Sequence, residues 1–279
     1  MDRGELELFR AALRQATASH SGKALDDALE ELGWRDALAA DRRVAVSTLF
    51  ELQGEANATS SALDLVMADG PVLLPPLGSC EQPTSRGLGT CAFANSAPEG
   101  VALRPIDGID PSLGLVEVTG QLPRIDTRAW PEVVAAGQLA LAHELIGASR
   151  AMLELARTHA LERVQFDRSI AGFQAVRHRL AESLVAIEAA HAATGAAWEM
   201  ATPSSAAVAK AVAGRSARIV AKHCQQVLAG IGFTTEHPFH RHLRRILVLD
   251  GLLGDTRTLT RQVGEELLAT RSLPPLQPL

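Results

Sequence analysis

The sequence predicts a mainly α-helical protein with a short β interlude, and three observations carry that prediction. Hydrophobic residues make up 47% of the 279 residues and aromatics only 4%, with no Tyr. Ala and Leu therefore carry most of the apolar content, and both favour helices. From about 129 to 272, apolar residues return every three or four positions, the spacing of one helix face. Between about 70 and 128 that period gives way to short apolar runs separated by Gly and Pro. A chain of this length can bury a sizeable core, as one large domain or two modest ones.

Residues 1–69 read as a helical region. Leu6, Leu8, Phe9 and Leu13 mark one amphipathic stretch; Leu25, Leu29 and Leu32 mark a second, which Gly33 ends. A third stretch runs through Val44, Leu49 and Leu52 into SSALDLVMA. Residues 70–128 hold PVLLPPLG, turn-rich sequence and GVALRPIDGIDPSLGLVEVTG, enough for a few strands and too little for a full barrel. Residues 129–279 read as an antiparallel bundle of long helices. One helix spans about Glu132 to Glu162. In the next, Val176, Leu180, Leu184, Ile187, His191, Thr194 and Trp198 step by three or four along one face. A third spans about Ser204 to Leu228 and stops near Gly230 and Gly232. A fourth carries Leu243, Ile246, Leu247, Leu249 and Leu253, and a fifth Leu259, Val263, Leu267 and Leu268. The tail SLPPLQPL reads as an extended arm.

Charge and composition exclude some functions. A net charge of -5 argues against nucleic-acid binding by bulk electrostatics. Cys80, Cys91 and Cys224 have no metal-ligand spacing, and so sparse a set fits a reducing compartment. The opening MDRGELELFRAALRQ is charged and amphipathic, unlike a secretory signal, and no uncharged apolar run reaches the length of a membrane span. The expectation is a soluble, cytoplasmic protein.

Two segments carry more specific information: LERVQFDRSIAGFQAVRHRLAE (161–182) and QVLAGIGFTTEHPFHRHLRR (226–245). Taken singly, their residues have ordinary readings. Arg163 and Gln165 suit the surface of a helix end, Phe166 and Phe173 a core, Gly230 and Gly232 a helix stop. Taken in order, they resemble the acyl-CoA dehydrogenase family. Its first pattern is Arg-x-Gln-Phe-Gly, then Ile, then Phe-Gln-x-x-x-His. Arg163, Gln165, Phe166, Ile170, Phe173, Gln174 and His178 match it, with Asp167 in place of Gly. Its second is Gln-x-x-Gly-Gly-x-Gly-Phe/Tyr-x-x-Glu-x-Pro. Gln226, Gly230, Gly232, Phe233, Glu236 and Pro238 match it, and Ala229 replaces the first Gly.

The resemblance implies a shared flavin. In the family one subunit holds the isoalloxazine ring of FAD and its dimer partner reaches the ADP half. The reaching positions correspond to Arg163, Gln165, Phe166, Gln226 and Gly230. An Arg suits a pyrophosphate because it is a permanent cation with several donors. Gly at 230 and 232 would let backbone come close to a cofactor.

The departures are as informative. The family's catalytic base is a Glu, usually in a Tyr-Glu-Gly-Thr segment that falls here on Leu252, Leu253, Gly254 and Asp255. Leu253 occupies the Glu position. A minority of members place the base on the helix before the first motif, near Gly137 here. No catalytic residue is therefore expected. Asp255 and Glu144 are candidates for a displaced base, weighed against solvated or helix-capping carboxylates. The β-domain that shelters the flavin ring in the family is largely missing from 70–128, where GSCEQPTSRGLGT stands without the family's Thr-Glu-Pro-x-Ala-Gly-Ser-Asp pattern. His237, His240 and His242 are spaced H-x-x-H-x-H without a completing ligand, so no metal site is expected. RHLRR (241–245) reads equally as a phosphate-facing cluster or a solvated helix face.

Matches and gaps together resemble the short subunit of actinobacterial steroid acyl-CoA dehydrogenases, heterotetramers with two copies each of two different family subunits. The resemblance implies an FAD-dependent α,β-desaturase of a bulky acyl-CoA. In it this chain would complete the FAD site of a second, catalytic subunit, and that partner would bind most of the substrate; the alternatives are a homo-oligomeric dehydrogenase with a relocated base and a flavin-free scaffold of the same fold.

Overall fold

The N-terminal region is helical because its breakers sit where helices end. In the computed structural model, which describes residues 3–97, 99–121 and 126–271, it forms α1 (Arg3–Ser19), α2 (Lys23–Glu31), α3 (Trp34–Ala40), α4 (Arg42–Ala56) and α5 (Ala62–Ala68). Gly33 separates α2 from α3 at φ 66°, a left-handed conformation that suits Gly. The Asp41 carboxylate caps α4 by accepting from the Val44 N–H at 3.0 Å. Asn57, left-handed at φ 54°, ends α4 and splits the third expected stretch in two. Leu13, Leu25, Leu29, Leu49 and Phe50 are buried, but Leu8 and Leu32 face out, so α1 and α2 bury narrower stripes than their leucines suggest.

The middle region is the expected β remnant. Strands β1 (Arg86–Gly89), β2 (Val101–Pro105) and β3 (Val116–Gly120) form an antiparallel sheet in the order β1–β3–β2, with α6 (Cys91–Ser96) between β1 and β2. Leu73, Phe93, Val116 and Val118 give it a small core of its own.

The bundle consists of α7 (Trp130–Glu162), α8 (Gln174–Met200), α9 (Pro203–Leu228), α10 (Phe239–Gly251) and α11 (Thr256–Thr270). At 33 residues, α7 is the axis and packs against α4, α5, α8, α9 and α10. Gly54 of α4 and Gly147 of α7 let those two helices cross backbone to backbone. A Cβ on Gly54 would overlap the Glu144 carbonyl, and one on Gly147 the Glu51 carbonyl. A reciprocal box opens α9: Thr202 Oγ1 accepts from the Ser205 N–H at 3.1 Å and Ser205 Oγ from the Thr202 N–H at 3.2 Å. Pro203 takes the first helical position.

On α8 the buried face differs from the expected stripe. It runs through Ser183, Ile187, Ala190, Thr194 and Ala197, whereas Leu184 is 51% exposed and His191 faces out. Small residues on α8 and α9 allow close packing, and that contact rather than side-chain size sets the rotation of α8. Leu268 of α11 likewise points outward. The tail read as an arm lies outside the described residues.

One side chain ties the three regions together. Arg245 of α10 is fully buried. Its Nε donates to Asp110 Oδ2 at 2.6 Å, and its Nη1 to Glu144 Oε1 at 3.0 Å and the Ala58 carbonyl at 2.8 Å. Its Nη2 donates to Thr59 Oγ1 at 3.0 Å. The guanidinium thus joins the N-terminal helices, the middle region and the bundle.

Candidate functional site

The first motif folds as a two-residue hairpin on the end of α7. Strands β4 (Val164–Gln165) and β5 (Arg168–Ser169) pair antiparallel across Phe166 and Asp167, at φ 54° and 61°. Positive φ at both central residues is the geometry of a type I′ turn, which matches the twist of paired strands. Asp accepts this conformation better than most residues, so Gly is not required at 167. The Ile170 N–H donates to the Arg163 carbonyl at 2.8 Å and Ser169 Oγ to the Ala160 carbonyl at 2.8 Å, fastening the hairpin to α7. Arg163, Gln165 and Phe166 are exposed, Phe166 at 85%. Phe173 is half-buried, with the Phe166 ring edge-on at 6.0 Å and the Arg168 guanidinium 4.2 Å above it. Phe166, read singly as a core residue, is a surface residue.

The second motif is the turn after α9. Gln226 is exposed on the last turn of the helix. Ala229 holds φ 52° and ψ −134°, a conformation that favours glycine, where the family pattern has Gly. The two glycines differ. Nothing lies within 4 Å of a Cβ built on Gly230, so its backbone face is open; Gly232 is buried, and a Cβ there would press on Leu228 at 2.9 Å. Gly230 alone keeps the freedom to be approached from outside.

The two motifs share one end of the bundle. His159, in the last turn of α7, meets His237 edge to face at 6.5 Å. Around them Leu161, Val164, Phe166, Ile231 and Phe233 are exposed apolar side chains. Grouped exposure of that kind is common on surfaces that bind another molecule. Gln165 Nε2 is turned back onto the Val164 carbonyl at 2.8 Å, and Arg163 has no ion pair among the described residues.

The expected base positions meet inside the core. Leu253 is fully buried at φ 55°, and a Cβ on Gly137 would overlap its Cδ1 and come within 2.8 Å of the Met67 sulfur. Both positions are therefore filled by apolar packing. Shifting the register by one residue changes nothing, because Leu252 is buried and a Cβ on Gly254 would press on Leu259 at 2.7 Å. The turn is pinned from behind. Gln138 Nε2 donates to the Leu253 carbonyl at 3.0 Å, and the buried Lys210 Nζ to the Asp250 and Gly254 carbonyls at 2.9 and 2.8 Å. Burial draws the Lys210 ammonium down to about 8.

Neither displaced-base candidate is poised to take a substrate proton. Asp255 is the N-cap of α11 and accepts from the Thr258 N–H at 2.7 Å. That backbone hydrogen bond holds it below the usual carboxylate range. Glu144 is neither solvated nor a cap: it lies in the core against Arg245, and burial raises its carboxyl despite that partner. The cavity beside it is only about 30 Å³, too small for an acyl chain.

The histidines do separate jobs. His237 Nδ1 accepts from the Phe239 N–H at 3.2 Å, and His240 Nδ1 contacts the His237 carbonyl at 2.8 Å. His242 is buried with Nδ1 unpartnered, and burial pushes its imidazole down to about 4. Among the described residues, no three His, Cys, Asp or Glu side chains stand where they could hold a metal ion. Within RHLRR, Arg241 and Arg244 are exposed and Arg245 is the buried tie, a role that neither reading of the segment included. Sequence reasoning also missed a polar chain on the opposite flank of α7. Trp198 Nε1 donates to His143 Nε2 at 3.0 Å, His143 Nδ1 faces Glu51 Oε1 at 2.9 Å, and Glu51 also pairs with Arg150. These residues come from three helices, and no spacing in the sequence links them.

Comparison with known proteins points to one family and one fold. Residues 132–268 match the acyl-CoA dehydrogenase C-terminal domain family. The acyl-CoA dehydrogenase IpdE2 of Mycobacterium tuberculosis is 35% identical over 136 residues, 49% of this chain and 43% of that protein. The acyl-CoA dehydrogenase FadE34 of the same organism is 31% identical over 244 residues, 82% of this chain and 33% of that protein. The chain thus spans less than half the length of these relatives. Among solved structures, a Tcur3481–Tcur3483 steroid ACAD variant superposes with a TM-score of 0.80 at 18% identity, covering 96% of this chain and 99% of that one. The ChsE4–ChsE5 complex of M. tuberculosis gives 0.73 at 19% identity, covering 99% of both chains. Butyryl-CoA dehydrogenase of Megasphaera elsdenii gives 0.76 at 17% identity, covering 96% and 100%. These superpositions establish the fold. Among the described residues no helix is long and apolar enough to cross a membrane.

Proposed function

We propose, from the match of residues 132–268 to the acyl-CoA dehydrogenase C-terminal domain, that this chain is a subunit without a catalytic base that completes the FAD site of a catalytic partner. The observation that carries this reading is the packing of Leu253 onto Gly137. Both places where the family keeps its carboxylate are sealed by apolar contacts, while the cofactor-side motifs stand exposed at one end of the bundle. The residues fit the ADP half of FAD. Arg163 offers a cation with no carboxylate bound to it among the described residues, Gln165 and Gln226 offer amide donors, and Gly230 leaves open backbone. Phe166 and its exposed apolar neighbours would be covered by the partner. Bound FAD supplies the hydride acceptor for α,β-desaturation of an acyl-CoA thioester, and the proton is taken by the partner's base.

The acyl-CoA would sit mainly in the partner. The bulk of a steroid side chain or ring fragment suits a heterotetramer in which half the acyl sites are closed. The fold's likeness to a steroid ACAD and to the ChsE4–ChsE5 complex supports that substrate class and assembly.

The test is co-expression with a catalytic family subunit, reading flavin absorbance and native mass together. The complex is expected to carry FAD, and the lone chain little. Arg163→Ala should weaken FAD retention by about tenfold or more, the loss of a charge-assisted contact, while leaving the complex's mass intact. Stoichiometric flavin on the lone chain, or unchanged retention in Arg163→Ala, would overturn the proposal.

A further inference from the structure

A second surface lies away from the motifs, between α9 and α11. Arg215, Arg218 and Lys222 are spaced i, i+3, i+7 along α9, and Arg257 and Arg261 are spaced i, i+4 along α11. All five line one open groove of about 820 Å³, in a chain whose net charge is -5. The two carboxylates beside them are committed. Asp250 is buried, accepting from Arg218 Nη2 at 2.6 Å and Thr256 Oγ1 at 2.6 Å. Asp255 caps α11. These same contacts occupy the N–H groups of Thr256 and Thr258 at the start of α11, so the groove binds through side chains and not through a helix terminus. Among the described residues Arg261 pairs only with the exposed Glu265 at 2.8 Å. Among the described residues Arg215, Lys222 and Arg257 have no ion-pair partner at all.

We propose that this groove is a docking surface for a protein partner that presents a row of carboxylates. Three features favour a protein over a phosphate-bearing small molecule. The cations stand in two rows, the longer about 10 Å from end to end at the rise of an α-helix, rather than converging on one point. The groove is open and has no enclosing wall. Its floor carries the half-buried Ile219, an apolar centre with a charged rim, which is the anatomy of a protein interface. The chain's overall negative charge disfavours an extended nucleic-acid strand and leaves a local basic patch suited to a local acidic one. Of the three cations without an ion-pair partner among the described residues, two, Arg215 and Arg257, are Arg, whose planar fork matches carboxylates.

The experiment uses the full chain and fluorescein-labelled poly-L-glutamate of about 20 residues, followed by fluorescence anisotropy at low and physiological salt. Binding is expected at low salt. The triple variant Arg215→Ala, Lys222→Ala, Arg257→Ala should weaken it at least tenfold, and the control triple Arg10→Ala, Arg14→Ala, Arg35→Ala should not. Equal loss in both triples, or none in the groove triple, overturns the proposal. So does displacement of the peptide by sodium tripolyphosphate at a tenth of the concentration, counted in charges, at which unlabelled poly-L-glutamate displaces it; that result assigns the groove to a phosphate ligand. In the co-expressed complex, carbodiimide coupling gives an independent reading. A cross-link from Lys222 to a partner carboxylate supports the groove as an interface. The readout is separate from flavin content: loss of peptide binding leaves the cofactor reading standing, and loss of flavin leaves the groove standing.

Discussion

Replacing Arg245 with Leu should be among the most damaging single changes in this chain, and the structure sets the size of the effect. The side chain is fully buried and its donors reach two carboxylates, Asp110 and Glu144, besides backbone carbonyls of residues 57 and 58. Leu would keep much of the volume but leave both acids buried without their cation. Breaking a buried pair from one side costs about 3–5 kcal/mol, or roughly a 5–9 °C fall in Tm for a chain of this size. The loss should depend on pH with a definite sign. Burial already raises the Glu144 carboxyl, and removing the guanidinium raises it further. The variant's native state then takes up protons that the unfolded chain does not, so its stability recovers as pH falls. Urea unfolding of wild type, Arg245→Leu and the exposed neighbour Arg244→Leu, at pH 7.5 and pH 5, measures this directly. The Arg244 variant should stay within about 0.5 kcal/mol of wild type. A loss below about 1 kcal/mol at pH 7.5, or one that does not shrink at pH 5, would refute the view of Arg245 as the tie between the three regions.

Other substitutions test other parts of the account. Ala229→Gly should stabilise the chain by about 1 kcal/mol, because the strain of the native backbone at φ 52° exceeds the extra flexibility Gly gives the unfolded state; a fall in the urea midpoint would contradict this. Gly137→Ala should cost about 1–3 kcal/mol by overlap with Leu253, and Leu253→Ala should relieve part of that cost, so a double-mutant cycle must show coupling. His242 and Asp64 oppose each other across pH 4–6.5. The imidazole, held at about 4, costs stability as pH falls, because only the unfolded chain protonates there; the Asp64 carboxyl, raised by burial to about 7, gains stability over the same range. His242→Leu should therefore make the chain relatively more stable on acidification and Asp64→Asn relatively less. Each slope should change by up to about 1.4 kcal/mol per pH unit, and parallel slopes in all three proteins would refute the assignment.

The sequence was most legible where one local signal determined the outcome. The helix expected over 132–162 is α7, and the one expected from Ser204 is α9, because three- and four-residue spacing and Pro203 mark them without help from tertiary contacts. The sparse β region followed in the same way from its turn residues. Where the outcome depends on what a helix packs against, the sequence was less informative. Leu184 looked like core and is exposed, because the buried face of α8 runs instead through Ser183, Ala190 and Ala197. Arg245 looked like surface and is the most connected cation in the core, since its partners are about 100 to 190 residues distant in sequence. Glu144 carried no local sign that it would meet that Arg. The ordered motif matches depended on no packing, so Arg163, Gln165 and Gln226 could be marked before their surface positions were known.

The empty base positions and the exposed motifs bear on each other physically. A chain that lost its Glu but kept an acyl pocket would leave a hollow beside Gly137, and a hollow of side-chain size costs several kcal/mol. Here that space is closed by Leu253 and Met67, and the turn bearing Leu253 is braced by Gln138 and Lys210. Under the proposed function, the loss of the base is thus built into the core. Restoring a carboxylate at 253 would bury it among apolar groups without a partner, which is unfavourable whatever the chemistry nearby. At the far end of α7 the economy is reversed. Ala229 holds positive φ, and Phe166 and Phe233 expose large apolar rings, costs that the Phe166–Phe173 contact and the hairpin offset only in part. Under the proposed function, a fold packed tight around Leu253 and uncovered at its motif end would have its working surface at the motif end, completed by the partner that binds there.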